Sequence, residues 1–162
     1  MINLLYISSF LFALYVLYIR VEFGVQKSIS WSFTILPRTE RWMFRGVIWL
    51  LCSAIISFYE YSSFFVASGI LLSLVGLFAE IKTAWKKVIH MIGAVGGILS
   101  AYAGVYLCDN ILGLQALLIT IVASLLVYIF KDKNNIVWSD EIICFIVVII
   151  SLILISNFHG SI

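Results

Sequence analysis

Residues 84–110 read AWKKVIHMIGAVGGILSAYAGVYLCDN. Between Lys87 and Asp109 the only titratable residues besides tyrosines and Cys108 is His90. About 20 helical residues rise about 30 Å, the thickness of a bilayer's hydrocarbon core. The segment 88–107 therefore predicts a membrane-spanning helix. Inside it, Gly93, Gly97 and Ala101 recur at intervals of four, and so do Gly96, Ser100 and Gly104. Small residues at that spacing let helix backbones approach closely in lipid. The reading is a central helix of a bundle.

Working outward, five further apolar runs of similar character occupy 2–19, 43–58, 63–79, 111–130 and 142–158. The expected fold is an all-α, six-helix transmembrane bundle forming one domain over 1–162. Treating 43–79 as one hairpin that fails to cross would put Glu60 at mid-membrane, at a cost of a few kcal/mol. The connections around Glu60 and Asp109 are minimal, so neighbouring helices should be antiparallel. The first run lacks a basic leader and a small-residue cleavage pattern, and reads as a retained helix. No internal repeat of the kind that marks inverted-repeat transporters is evident.

The composition agrees: 64% hydrophobic and 11% charged, against about 25% charged in soluble domains. All ten Lys and Arg fall in alternate gaps: Arg20, Lys27, Arg38, Arg41 and Arg45; Lys82, Lys86 and Lys87; Lys131 and Lys133. The remaining gaps and both termini carry none. By the positive-inside rule, both termini lie on the non-cytoplasmic side. Glu22, Glu40, Glu80, Asp132, Asp140 and Glu141 share the cytoplasmic side, while Glu60 and Asp109 are outside. A bacterial inner membrane is the expected location. Membrane lipids are the expected partners, with other membrane proteins or a second copy next, and the net charge of +2 gives no argument for nucleic acid.

The gap between the first two runs is the only long one. In it Ser28, Ser30, Ser32 and Thr34 alternate with Ile29, Trp31, Phe33 and Ile35. Period two predicts an extended segment with one polar and one apolar face. Pro37, the only proline, favours extended geometry at Leu36. Unpaired extended backbone cannot lie in lipid, so the segment should sit at the interface or fold back into the bundle. Arg41 and Arg45 follow one helical turn apart, a spacing suited to a phosphate or carboxylate. The candidate polar pocket is Ser28, Ser30, Ser32, Arg41, Arg45, Glu80 and His90, with Trp31 and Phe33 as anchors and an arginine on Glu80.

His90 and His159 should lie at opposite membrane faces, which argues against a two-histidine metal site. Cys52, Cys108 and Cys144 have no metal or redox spacing and read as small packing residues. Tyr and Trp residues, Tyr15, Tyr102 and Trp138 among them, read as headgroup-level belts. No catalytic constellation, metal site or cofactor is expected. The Ser28-Ile29-Ser30 triplet after a first span, with His90 heading a Gly-rich span, resembles small multi-pass bacterial membrane protein families. The resemblance covers about the first hundred residues and implies architecture alone, because those families carry no assigned reaction. Multi-pass hydrolases such as alkaline ceramidases gather several histidines on one face, which this chain lacks. The expected function is a non-enzymatic module binding a lipid, small ligand or membrane partner at its cytoplasmic mouth. A membrane-embedded lipid-modifying enzyme and a small transporter or channel subunit are the alternatives.

Overall fold

A computed structural model describes residues 2–80, 83–130 and 136–159. Lys82, Lys131, Asp132, Lys133 and the side chain of His159 lie outside the described set. The described residues form an all-α fold: α1 Ile2–Phe23, α2 Ser32–Ile35, α3 Arg41–Ile56, α4 Ser63–Leu77, α5 Ala84–Cys108, α6 Asn110–Phe130 and α7 Ile136–His159. Four of them, α1, α5, α6 and α7, are long and apolar enough to cross a membrane. Helices α3 and α4 have 16 and 15 residues, about 24 and 22 Å at 1.5 Å per residue.

Helix ends follow local chemistry. Gly24 adopts φ +75° and its N–H bonds to Arg20 O, closing α1 with a left-handed cap. Ser62 accepts from the Phe64 N–H at the start of α4. Asp109 is the single residue between α5 and α6, and its carboxylate accepts from the N–H groups of Ile111 and Leu112, both at 2.9 Å. That cap satisfies two of the orphan donors at the start of α6.

Helix α4 packs between α3 and α5, α6 joins α5 to α7, and α1 lies on α3 and α7. The α4–α5 contact rests on the glycines. A Cβ at Gly93 would stand 2.6 Å from Leu71 O, and one at Gly97 would stand 2.5 Å from Leu72 Cγ. Ser68 uses this closeness, donating to the Gly97 carbonyl at 2.7 Å. Between α5 and α6, Gly113 lies against the Tyr106 backbone, and Tyr102 donates to Thr120, whose own hydroxyl goes to Ala116 O. Tyr102→Phe removes one interhelical bond and leaves Thr120 a backbone acceptor. The expected loss is about 1 kcal/mol or less, read as a small drop in the unfolding midpoint in detergent.

Helix α7 has few small residues, yet it buries Trp138, Val147, Val148, Ser151, Leu152 and Ile155; its branched side chains supply dispersion contacts that need none. Of the four long helices α6 is the least buried and α5 the most. Two expectations change. Tyr15, Tyr102 and Trp138 are buried rather than interfacial; two of them hold hydrogen bonds inside the bundle. Finally, residues 28–36 are not extended. They form tight turns and the single helical turn α2. Burial falls on Ile29, Ser30, Ser32, Phe33 and Leu36, which is helical spacing rather than period two. Leu36, at φ −64° and ψ 139°, has the extended geometry that Pro37 imposes.

Candidate functional site

The end of the bundle where α1 stops and α3, α5 and α7 begin carries the polar groups. The segment after Gly24 folds back into this end, and serine hydroxyls shape its turns. Ser28 Oγ accepts from the Trp31 N–H at 3.0 Å and meets Ser30 Oγ at 3.1 Å. Ser32 Oγ donates to Ile29 O and accepts from Tyr15 Oη. Phe33 lies edge-on to Phe44, ring centroids 5.8 Å apart. Glu141, from α7, accepts the backbone N–H of Ile29. A loop so buried needs its backbone donors satisfied, and Glu141 supplies that acceptor from across the bundle.

Behind the loop is a partly enclosed cavity of about 30 Å³, room for about two water molecules. Ser30, His90 and Glu141 contribute its polar wall, and Cys52, Phe44, Leu72 and Phe145 are among its apolar ones. His90 and Ser30 are each 5% exposed. The Nδ1 atom of His90 is buried with no hydrogen-bond partner among the described residues.

A second, larger space opens on the other side of Phe33. It measures about 530 Å³ and is lined by Phe33, Arg38, Arg41, Trp42, Arg45, Gly46, Trp49 and Glu80. The guanidinium carbons of Arg41 and Arg45 stand 5.2 and 5.0 Å from the Phe33 ring centroid, cation–π distances. Arg41 Nε donates to Leu36 O at 3.2 Å, and its Nη1 is 4.0 Å from Glu80 Oε1. Arg45 Nε is buried and has no hydrogen-bond partner among the described residues. Glu40 faces α1, where it accepts from Tyr18 Oη at 2.6 Å. Among the described residues lining this cleft, three guanidinium groups face one carboxylate, so positive charge is in excess.

The expected polar pocket is thus divided. Ser30 and His90 share the partly enclosed cavity, Ser28 adjoins Ser30, and Ser32 turns to Tyr15. Arg41, Arg45 and Glu80 line the open cleft, not the cavity. An arginine does stand by Glu80, at ion-pair rather than hydrogen-bond distance. Phe33 anchors the loop, whereas Trp31 is 39% exposed with Lys27 over its ring. Residue-by-residue reading missed Glu141, Arg38, Trp42 and Gly46. The signal for Glu141 was available: Trp138, Glu141, Phe145, Val148, Leu152 and Ile155 alternate at three and four, one face of a helix.

Among the described residues, no group of three His, Cys, Asp or Glu is arranged to hold a metal ion, and Cys52, Cys108 and Cys144 are free thiols. The cavity can hold water against three polar side chains. The cleft can hold an anion. No protein-family model, curated protein or solved structure matches this chain.

Proposed function

We propose that the chain is a six-span integral membrane module that binds a lipid at its cytoplasmic mouth without transforming it. In this reading the shorter helices α3 and α4, extended by their flanking turns, complete the six crossings. Both termini are on the outer face, and the membrane is a bacterial inner membrane. The observation that carries the reading is the cleft of Arg38, Arg41 and Arg45, with one buried guanidinium nitrogen, Arg45 Nε, that no described residue satisfies. Guanidinium groups match phosphate geometry, and the inner leaflet is rich in anionic headgroups.

The test is lipid retention by the detergent-purified protein, counted by native mass spectrometry. Replacing Arg41 and Arg45 together by Gln is expected to lower retention about tenfold or more, because a hydrogen bond to a charged group contributes about 1.5–3 kcal/mol. Unchanged retention would remove the reading. Orientation has its own test. With native cysteines replaced, single cysteines at positions 60 and 110 should label from outside intact cells, and one at 84 should not. The ten-to-zero division of Lys and Arg between alternate gaps motivates this; outside labelling at 84 would reverse the assignment.

The partly enclosed cavity favours a second reading, a membrane-embedded lipid-modifying enzyme using His90 with Ser30 and Glu141. Turnover of a fluorescent phospholipid by the reconstituted protein, lost in His90→Ala, would support it over the binding module.

A further inference from the structure

The arginine cleft does not end at the α3 ridge. On the other side of that ridge, between α1 and α3, runs an apolar groove of about 450 Å³, whose wall includes Leu11, Leu14, Tyr18, Val47 and Leu50. Trp42 and Gly46 line both spaces. They are one turn apart, so they form the crest between cleft and groove. At Gly46 the crest is low.

Gly46 is not explained by packing. A Cβ built there meets nothing within 4 Å, unlike Gly69, Gly93, Gly97, Gly104 and Gly113, where a Cβ would press on a neighbouring helix or residue. Glycine inside a helix is about 0.5–1 kcal/mol less favourable than alanine. At this position that cost brings no helix–helix contact. What the missing side chain leaves is an open saddle between a cationic space and an apolar one.

We infer that cleft and groove together form one site for an anionic phospholipid, with its phosphate among Arg38, Arg41 and Arg45 and one acyl chain laid over Gly46 into the α1–α3 groove. This rests on the lipid-binding reading above and specifies its ligand. Charge complementarity selects the headgroup, since three arginines and one glutamate are the charged groups among the described residues lining the cleft. Geometry selects the chain. From Trp42 to Leu50 the groove follows α3 for about 12 Å, nearly the depth of one leaflet, which is about 15 Å. Trp42, 70% exposed, stands at the crest beside Gly46, where an amphipathic ring can lie against the glycerol region.

The experiment uses the full chain in nanodiscs of phosphatidylcholine doped with phosphatidylglycerol, and native mass spectrometry of the released complexes. Three variants are compared with the parent. Arg45→Gln weakens the cleft. Gly46→Leu fills the saddle, and because its Cβ meets open space the bundle should fold as before, which the unfolding midpoint verifies. Lys86→Gln removes an equal charge from the same end of the bundle, outside the cleft. Phosphatidylglycerol retention is expected to fall about tenfold in each of the first two, equivalent to about 1.4 kcal/mol, and to hold in the third. Neither dioleoylglycerol nor millimolar inorganic phosphate should displace the lipid. Loss with Arg45→Gln but not with Gly46→Leu, or displacement by inorganic phosphate, would leave an anion-binding mouth and overturn the bridging lipid. Loss with Lys86→Gln equal to that with Arg45→Gln would reduce the effect to surface charge and overturn both readings. Retention unchanged in all three would do the same.

Discussion

Gly93→Leu is expected to prevent assembly of the bundle, while Ile149→Leu leaves it intact. The reason lies in what each side chain would meet. At Gly93 a Cβ stands 2.6 Å from the Leu71 carbonyl oxygen and 3.0 Å from Leu74 Cβ. Both atoms are fixed to the α4 backbone, so no rotamer change relieves the contact. The helices must separate, and Ser68 then loses its bond to Gly97 O. In lipid no hydrophobic force returns them, because hydrocarbon solvates either surface equally well. Overpacking of this kind costs about 1–3 kcal/mol in ordinary cores, and the lost bond adds to it. Ile149 is partly buried, and an isomeric swap there should cost less than about 1.5 kcal/mol. Gly96→Ala provides the graded control: its Cβ meets only a flexible Leu71 methyl at 3.3 Å. Monodisperse yield and unfolding midpoint in detergent should rank Gly93→Leu far below the other two. Equal tolerance would mean that the α4–α5 contact does not hold the bundle together.

The same contrast explains what could be read from the residues. Lipid imposes helix on any long apolar segment, because every backbone group must bond within it. Residues 88–107 and their small-residue intervals therefore carry a helix and a packing face, and the structure puts Gly93, Gly97, Ala101 and Gly104 on buried surface of α5. At the basic end that rule weakens. Seven residues of alternating Ser and apolar character fit a strand by period. Yet the Ser28 hydroxyl capping Trp31 N–H, and Ser32 bonding Ile29 O, stabilise turns that no strand pairing competes with. Exposure was also misjudged for aromatic residues. A tyrosine near a span's end is compatible with a headgroup belt or with an internal donor, and only the partner decides. Tyr15 has Ser32 and Tyr102 has Thr120. The cleft and groove escaped because they depend on an empty volume beside Gly46, and an isolated glycine does not announce whether it serves contact or space.

Glu141 is the residue whose loss should most disturb the basic end without touching the α4–α5 interface. Counted by charge, it belongs with Asp140 to a cytoplasmic boundary. In the fold it lies more than one turn inside α7, walls the partly enclosed cavity, and accepts the Ile29 N–H. That bond ties the loop backbone to α7, and Tyr15 to Ser32 ties the loop to α1. Glu141→Leu strands a buried amide donor, at a cost of about 1–3 kcal/mol, and so should free the 26–36 segment while α1 and α3–α7 stay packed. Glu141→Gln keeps a carbonyl acceptor of nearly the same shape and should restore most of the loop's order. Hydrogen exchange reports the difference directly. The Ile29 and Phe33 amides should lose about tenfold or more of their protection in the Leu variant, as expected from the same free energy, with the Gln variant close to the parent. Amides of α4 and α5 should be unchanged in both. If the Leu variant kept full protection, apolar burial of Ile29, Phe33 and Leu36 alone would suffice to seat the loop, and the carboxylate would be free to serve the cavity beside His90 instead.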